Sequence, residues 1–550
     1  MADISHNVET CPGKSQYEEE AERQVVKNTL ADIAVTRNGV TLHPQPTSDP
    51  LDPLNWSNLR KHSILAIVMW KYFLFAYLTT TTIPSFTQIE KRLGINYAQT
   101  SWTISLPSLG LAIGPPLWSS LADIYGRRIV FIAGSVIALV STIGIAVTTN
   151  FKGYMAGRFF QGVGVSPSAA IGMAIVGDLF FEYERGQKLG LWVMAMDCGF
   201  LLGPLIGGFM NLVSLDWVIW LNVILFGVLL VLVVFFLPET LYPRTTMLHQ
   251  MPAIQSGAKE GSDLELAAVK VRSADQSDLP RTTKLPFINF KPVPGMRHPK
   301  PWDSILLTWS TFRIFAVTIP LWVFALTIYW WNPAAMTMIP AAYAQFPPQI
   351  QGLLFVGMLL GIVFAEIFCS GNLSDYICAK LTIKNDHIRI AEMRLWLIYP
   401  ACVLISGTRD SIIGVQEFLL TYIVGLVLWG ISIDQNYHWM VGQVAFFLFS
   451  VGFQTSNTVL ATYLVDSYPL QSISIITYYS VIINLAGFSS PFFISEWVES
   501  TGWTWTYGTQ CMLVFFVGMP VFALIHRYGP WLRAKSLQPS WVNAEFDTAI

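Results

Sequence analysis

The stretch Gly199-Phe200-Leu201-Leu202-Gly203-Pro204-Leu205-Ile206-Gly207-Gly208, with Asp197 just ahead of it, lies inside an apolar run from about Leu189 to Val213. About 20 apolar residues cross a bilayer. Four glycines and Pro204 would weaken a helix in water. In a membrane they are useful: small residues four apart let two helix backbones approach, and packing drives association there. Pro204 removes one ladder hydrogen bond and favours a kink that neighbouring helices can tolerate. On the residues alone this is either a tight helix crossing or a crossing with a mechanical role.

Composition points the same way. The 550 residues are 53% hydrophobic and 12% charged, with mean hydropathy +0.49; soluble domains carry about 25% charged residues. The chain reads as an all-α, multi-pass membrane protein. A formal net charge of −2 implies no nucleic-acid partner. Cys11, Cys198, Cys369, Cys378, Cys402 and Cys511 show no metal-ligand spacing, so free thiols and no metal are expected.

Residues 1–60 are polar, with a charged patch at Tyr17–Arg23, and read as a largely disordered tail with room for a short helix. Apolar runs follow at about 63–86, 101–121, 129–149, 153–178, 189–213 and 217–237. A polar linker fills 241–308, and further runs lie at about 311–333, 350–372, 438–464, 471–495 and 506–526, before a tail at 531–550. Cations concentrate on one side of these spans, at Arg60, Lys61, Arg127, Arg128, Arg185, Lys188, the linker, Lys380, Lys384, Arg389, Arg394, Arg527 and Arg533. By the positive-inside rule that side is cytoplasmic and holds both tails and the linker, which requires an even number of spans. Residues 61–240 and 309–530 are then two halves of six spans each.

The loop Ser119-Ser-Leu-Ala-Asp123-Ile-Tyr-Gly126-Arg127-Arg128 has a second copy, Gly371-Asn-Leu-Ser-Asp375-Tyr-Ile-Cys-Ala-Lys380, with Asp375 252 residues after Asp123. An internal repeat of this period suggests two related halves. Aspartate beside arginines at a helix end can form charge-assisted bonds between neighbouring helices, a cytoplasmic gate; a plain positive-inside turn is the alternative. The first copy resembles the cytoplasmic loop G-x-L-A-D-R-x-G-R-R of the major facilitator superfamily, departing at Ser119 and Ile124. The Gly199–Gly208 pattern, G-x-x-x-G-P-x-x-G-G, resembles that superfamily's fifth-helix antiporter motif, with Gly199, Gly203, Pro204, Gly207 and Gly208 in register. Asp52-Pro-Leu-Asn-Trp, Leu237-Pro-Glu-Thr-Leu and Tyr468-Pro-Leu-Gln look like its fungal drug:proton antiporter branch. The resemblance covers about 50–530 and implies a twelve-helix fold in two pseudo-symmetric halves.

Between Arg394 and Ile431 the sequence offers two apolar runs, which would make thirteen spans. Fungal members have one helix here, and Arg394-Leu-Trp-Leu-Ile-Tyr-Pro reads as if it led directly into Gly425-Leu-Val-Leu-Trp-Gly. About 407–424 is therefore expected to be an insertion or a retained intron.

Ionisable groups at membrane depth default to functional candidates. Gly157-Arg158-Phe-Phe-Gln161-Gly162 resembles the family's R-x-x-Q-G motif, which implies a proton-coupling role for Arg158 and Gln161; snorkelling is the alternative. Asp197, about eight residues into span five, is the candidate proton carrier. Lys71 either snorkels or pairs with an acid. Tyr77, Thr80, Trp331, Asn332, Glu366, Gln454, Asn457 and Asn484 are candidate cavity-lining residues for a bulky, mostly apolar ligand.

The resemblance implies proton-coupled export of a xenobiotic or fungal secondary metabolite by alternating access, driven by the proton gradient with no cofactor. The expected partners are a small-molecule substrate, protons and the lipid bilayer, and the chain is expected to act as a monomer. The plasma membrane is the expected location, with vacuolar or vesicular membranes as alternatives. Two rivals remain: an importer of a nutrient or polyamine, which paired acids would favour and for which only Asp197 and Glu366 are available, and a non-transporting sensor. No nucleophile–base pair or phosphate loop suggests an enzyme.

Overall fold

The computed structural model describes residues 36–37, 40–41, 46–47, 49–242, 300–371, 377–378, 380–381, 391–398, 418–468 and 472–536. The charged patch at Tyr17–Arg23, Asp375, most of the linker and residues 407–417 of the expected insertion lie outside them, whereas its remainder, 418–424, is helical. Thr36–Arg37 and Val40–Thr41 pair as a two-residue antiparallel hairpin. Every other regular element among the described residues is helical.

The first six spans are α1 (Asn58–Thr80), α2 (Tyr97–Tyr125), α3 (Arg127–Val147), α4 (Phe151–Leu179), α5 (Glu182–Met210) and α6 (Leu215–Phe236). The second six are α7 (Phe315–Ala342), α8 (Pro348–Cys369), α9 (Phe418–Asp434), α10 (Trp439–Ser467), α11 (Ser472–Ser489) and α12 (Trp503–Arg533). Ten helices among the described residues are long and apolar enough to cross a membrane. The remaining two are α2, diluted by serine, threonine and three prolines, and α9, whose apolar part Ile423–Asp434 is short.

Local chemistry sets the helix ends. Asn96 and Gln99 form a capping box at the start of α2. Asn150 and Ser214 accept backbone N–H bonds at the starts of α4 and α6. Gly94 closes the short helix Phe86–Leu93 at φ +65°, a backbone region that suits glycine. Asp303–Thr311 is a short helix ahead of α7. It starts inside the stretch expected to be linker through 308, because its apolar residues are too few to register as a span. It leaves Leu306, Trp309 and Phe312 exposed, as suits a helix lying in a membrane interface.

Each half has its own apolar core. Phe75, Phe131, Val165 and Leu229 lie in the first, and Phe324, Met358, Trp429 and Phe449 in the second. The halves meet along two seams, α2 against α11 and α5 against α8. The side holding the N-terminal segment and central linker is called the linker side below, the other the far side.

Candidate functional site

The glycines of α5 do the packing their spacing predicts. A Cβ on Gly199 would strike the Phe73 carbonyl of α1, one on Gly203 the Tyr77 carbonyl, and one on Gly207 the Thr81 carbonyl just past its end. Thr80 Oγ1 donates to the Phe200 carbonyl (2.8 Å), so Thr80 is spent on the same contact. Gly208 faces the other half: its Cβ would lie 2.6 Å from the Pro348 carbonyl, and one on Gly352 would lie 2.6 Å from the Pro204 carbonyl. The motif therefore fixes α5 to α1 within a half and brings it to bare-backbone contact with α8 across the seam on the far side. Tyr97 Oη adds a bond to the Thr337 carbonyl there (2.5 Å).

Midway along α5, Asp197 is 5% exposed. Gln454 of α10 stands between it and Glu366 of α8: the Gln454 amide is beside Asp197, and its Nε2 donates to Glu366 Oε2 at 3.1 Å. Thr458 Oγ1 donates to the same carboxylate oxygen (3.3 Å). Glu366 reaches back to α5, where a Cβ on Gly190 would lie 3.5 Å from Oε1. Tyr72 of α1, Tyr329 of α7 and Tyr479 of α11 all lie within electrostatic reach of Asp197. Tyr72 stacks on Trp192 with centroids 4.2 Å apart, and Tyr479 donates to Asn457 Oδ1. Asp197 Oδ2 and Gln454 Oε1 are buried without hydrogen-bond partners.

Two backbone irregularities coincide with this cluster. Residues Ala325–Tyr329 of α7 and Ala365–Gly371, closing α8, form π-turns. Single π-turns inside α-helices concentrate at functional sites. They place Tyr329 and Glu366.

The structure thus gathers Asp197, Glu366, Gln454 and Asn457 from the sequence-derived set and adds Tyr72, Trp192, Tyr329 and Tyr479, which no motif marked. Others sit elsewhere. Tyr77 is buried against Phe73. Trp331 packs on Trp330 and Trp497. Asn332 is nine-tenths buried, and Asn484 donates to the Ser480 carbonyl one turn back in α11.

Arg158 neither snorkels nor meets an acid. Its guanidinium donates to the Leu78 carbonyl (2.8 Å) and Thr82 Oγ1 (2.7 Å) and approaches Gln161 Oε1 at 3.4 Å. Gln161 in turn donates to Thr142 Oγ1 (2.8 Å). Among the described residues, then, no titratable carboxylate touches Arg158. Lys71 resolves the same way: its Nζ donates to the Phe131 carbonyl (3.0 Å) and lies 4.4 Å from the centre of the Phe131 ring.

On the linker side Arg127 pairs with Asp178 at the end of α4 (3.0 Å), with Asp123 in its field. Arg128 donates to the Val234 carbonyl (2.6 Å). Glu239, just past α6, accepts from the Arg127 and Arg128 amides (2.9 and 3.2 Å). Burial pushes its carboxyl up, against the pull of those amides and the Arg127 charge. Gly126 stands at φ +102°, and a Cβ there would meet the Glu239 carboxylate, so any side chain is strained and crowded. Asp178 and Glu239 were not among the expected gate residues. Lys380 is exposed. The second half repeats the frame: Arg394 pairs with Asp466 at the end of α10 (2.7 Å), and Arg533 with Glu392 (2.6 Å).

A family model described as Major Facilitator Superfamily matches residues 68–433. Protein HOL1 of Saccharomyces cerevisiae is 24% identical over 90% of this chain and 91% of its own length. Efflux pump radE of Floropilus chiversii is 26% identical over 88% and 83%. The xylose transporter XylE of E. coli, solved in a partially occluded inward open conformation, superposes with TM-score 0.54 at 12% identity, over 85% of this chain and 99% of that one.

Proposed function

The chain belongs to the major facilitator superfamily, and on that premise we propose that this multi-pass membrane transporter exports a small, largely apolar compound, a xenobiotic or a secondary metabolite, in exchange for protons. The observation that carries the reading is the bridge Asp197–Gln454–Glu366. It joins a buried acid of one half to an acid of the other through one amide. A proton on Asp197 turns an acceptor into a donor, and this changes what the amide can hold across the seam. Such a proton shifts the equilibrium only if it binds one arrangement of the halves better than the other. A carboxylate buried in one arrangement and wetted in the other meets that requirement.

Export is supported by the likeness to a relative named as an efflux pump and by the α5 glycine motif. Import of an organic cation such as a polyamine is the second reading, favoured by the pairing of Asp197 and Glu366. The plasma membrane is the proposed location.

The test is accumulation of a panel of hydrophobic dyes and drugs in pump-deficient yeast, comparing the unmodified chain with Asp197→Asn at matched surface expression. The expected result is lower accumulation with the unmodified chain, abolished both by a protonophore and by Asp197→Asn. Export that survives both treatments refutes the proton-coupling role.

A further inference from the structure

We propose that the central site is built for a positively charged organic compound with an aromatic or apolar body, such as a protonated amine or an onium ion. This rests on the transport reading but not on its direction.

The first argument is charge. Asp197 forms no ion pair among the described residues; the charged group in its field is another acid, Glu366. The buried cations of the same half are held by neutral groups, Arg158 on Leu78 and Thr82 and Lys71 on Phe131. A buried acid whose neighbour is a second acid needs a cation from outside or a proton to be neutralised.

The second is unmet bonding capacity. Asp197 Oδ2 and Gln454 Oε1 are buried acceptors without donors, and Gln454 is wholly buried. Acceptors on both members of one pair leave room for an N–H donor or an onium charge, and a buried acceptor left unfilled costs about 1–3 kcal/mol.

The third is the surround. Tyr72, Tyr329 and Tyr479 bring three aromatic residues within electrostatic reach of the acid from α1, α7 and α11, and Trp192 of α5 backs them by stacking on Tyr72. Aromatic faces attract cations and accept flat apolar bodies. The π-turns that set Tyr329 and Glu366 show backbone geometry given up for placement at this site.

The experiment measures equilibrium binding to the purified full-length chain in detergent, with tetraphenylphosphonium as the charged probe and triphenylphosphine oxide as its neutral aromatic counterpart. Tetraphenylphosphonium is expected to bind at least tenfold tighter. Asp197→Asn and Glu366→Gln should each weaken it about tenfold and leave the neutral compound unchanged. Tyr329→Leu should weaken it several-fold and Tyr329→Phe should not. Size-exclusion profiles and thermal melting establish that each variant is folded.

Equal binding of the two probes, failure of tetraphenylphosphonium to bind the folded unmodified chain, or a preference for the hydrophilic polycation spermidine would overturn the inference. Proton-driven export of neutral compounds alone would leave the transport reading standing and remove this one. Charge-selective binding without any proton-driven flux would do the reverse.

Discussion

The contact between Gly208 of α5 and Gly352 of α8 gives a direct test of which surfaces part during transport. A Cβ on either glycine would lie 2.6 Å from a carbonyl oxygen of the opposite half. Reaching ordinary contact near 3.4 Å requires the two backbones to separate by roughly 0.8 Å, since neither atom met is on a flexible side chain. Overpacking of this kind costs about 1–3 kcal/mol. If the seam opens in the transport cycle, the whole cost falls on the state with the far side closed, and Gly208→Ala should shift the population toward the open state by about 5- to 150-fold. The assay is pulsed EPR between spin labels at Val213 and Gln345, both exposed on far-side loops, in a chain whose six cysteines are replaced. A longer-distance population should grow in Gly208→Ala and in Gly352→Ala. The double variant should add little, because once the helices have parted neither Cβ is crowded. Unchanged distance distributions in folded, transporting variants would show that this seam does not move, and alternating access would need another hinge.

Further expectations follow from the buried polar groups and the one forced glycine. Gly126→Ala combines a positive φ with a clash on Glu239; it should lower stability by about 1–3 kcal/mol, read as a drop in melting temperature in detergent, and an unchanged melting temperature would contradict it. Arg158→Gln leaves the buried Leu78 carbonyl and Thr82 hydroxyl short of a donor, at about 1–3 kcal/mol. If Arg158 is structural, as its neutral partners indicate, melting temperature should fall while the pH dependence of transport per folded molecule stays the same. Deleting 407–417, the part of the expected insertion that lies outside α9, should leave membrane insertion and transport intact if that stretch is an insertion; loss of both would show that it belongs to the fold.

Much of this was legible in the sequence because membranes constrain it so tightly. Apolar runs gave most of the spans, and the glycine spacing of α5 gave a close helix crossing without saying that α1 is its partner. The sequence could not say that Gly208 alone turns to the opposite half, because all four glycines satisfy the same small-residue rule. Tyr72, Tyr329 and Tyr479 were invisible for a related reason: a tyrosine in an apolar run reads as packing until three helices bring three of them to one carboxylate. Arg158 shows a different limit. A buried arginine calls for a carboxylate or a carbonyl partner, and only the fold selects the Leu78 carbonyl, with the Thr82 hydroxyl beside it, where α1 ends. The Asp123–Arg127–Arg128 loop supplied its charges by sequence, whereas the partners Asp178 and Glu239 come from α4 and from the segment after α6, far along the chain.

The ion pairs show how the molecule divides its labour. Arg127–Asp178 ties the start of α3 to the end of α4, and Arg394–Asp466 ties the segment leading to α9 to the end of α10, the same frame in each half. The two residues of the first pair are 51 positions apart and those of the second 72. The helical pieces 391–398 and Phe418–Asp434, 8 and 17 residues, together exceed the 21 of α3. The second of these pieces takes in residues 418–424, which the sequence alone assigns to the expected insertion at 407–424. Both pairs lie within a half, while the contacts between halves include bare backbone at Gly208 and Gly352, Tyr97 donating to the Thr337 carbonyl (2.5 Å), Ser120 accepting from the Ser304 amide (3.0 Å) and the Gln454 bridge. Strong directional bonds inside each half and weak, reversible ones between them are what rigid-body rocking requires. Of the seam contacts, the one that holds acids is the one whose strength a proton or a cation can change.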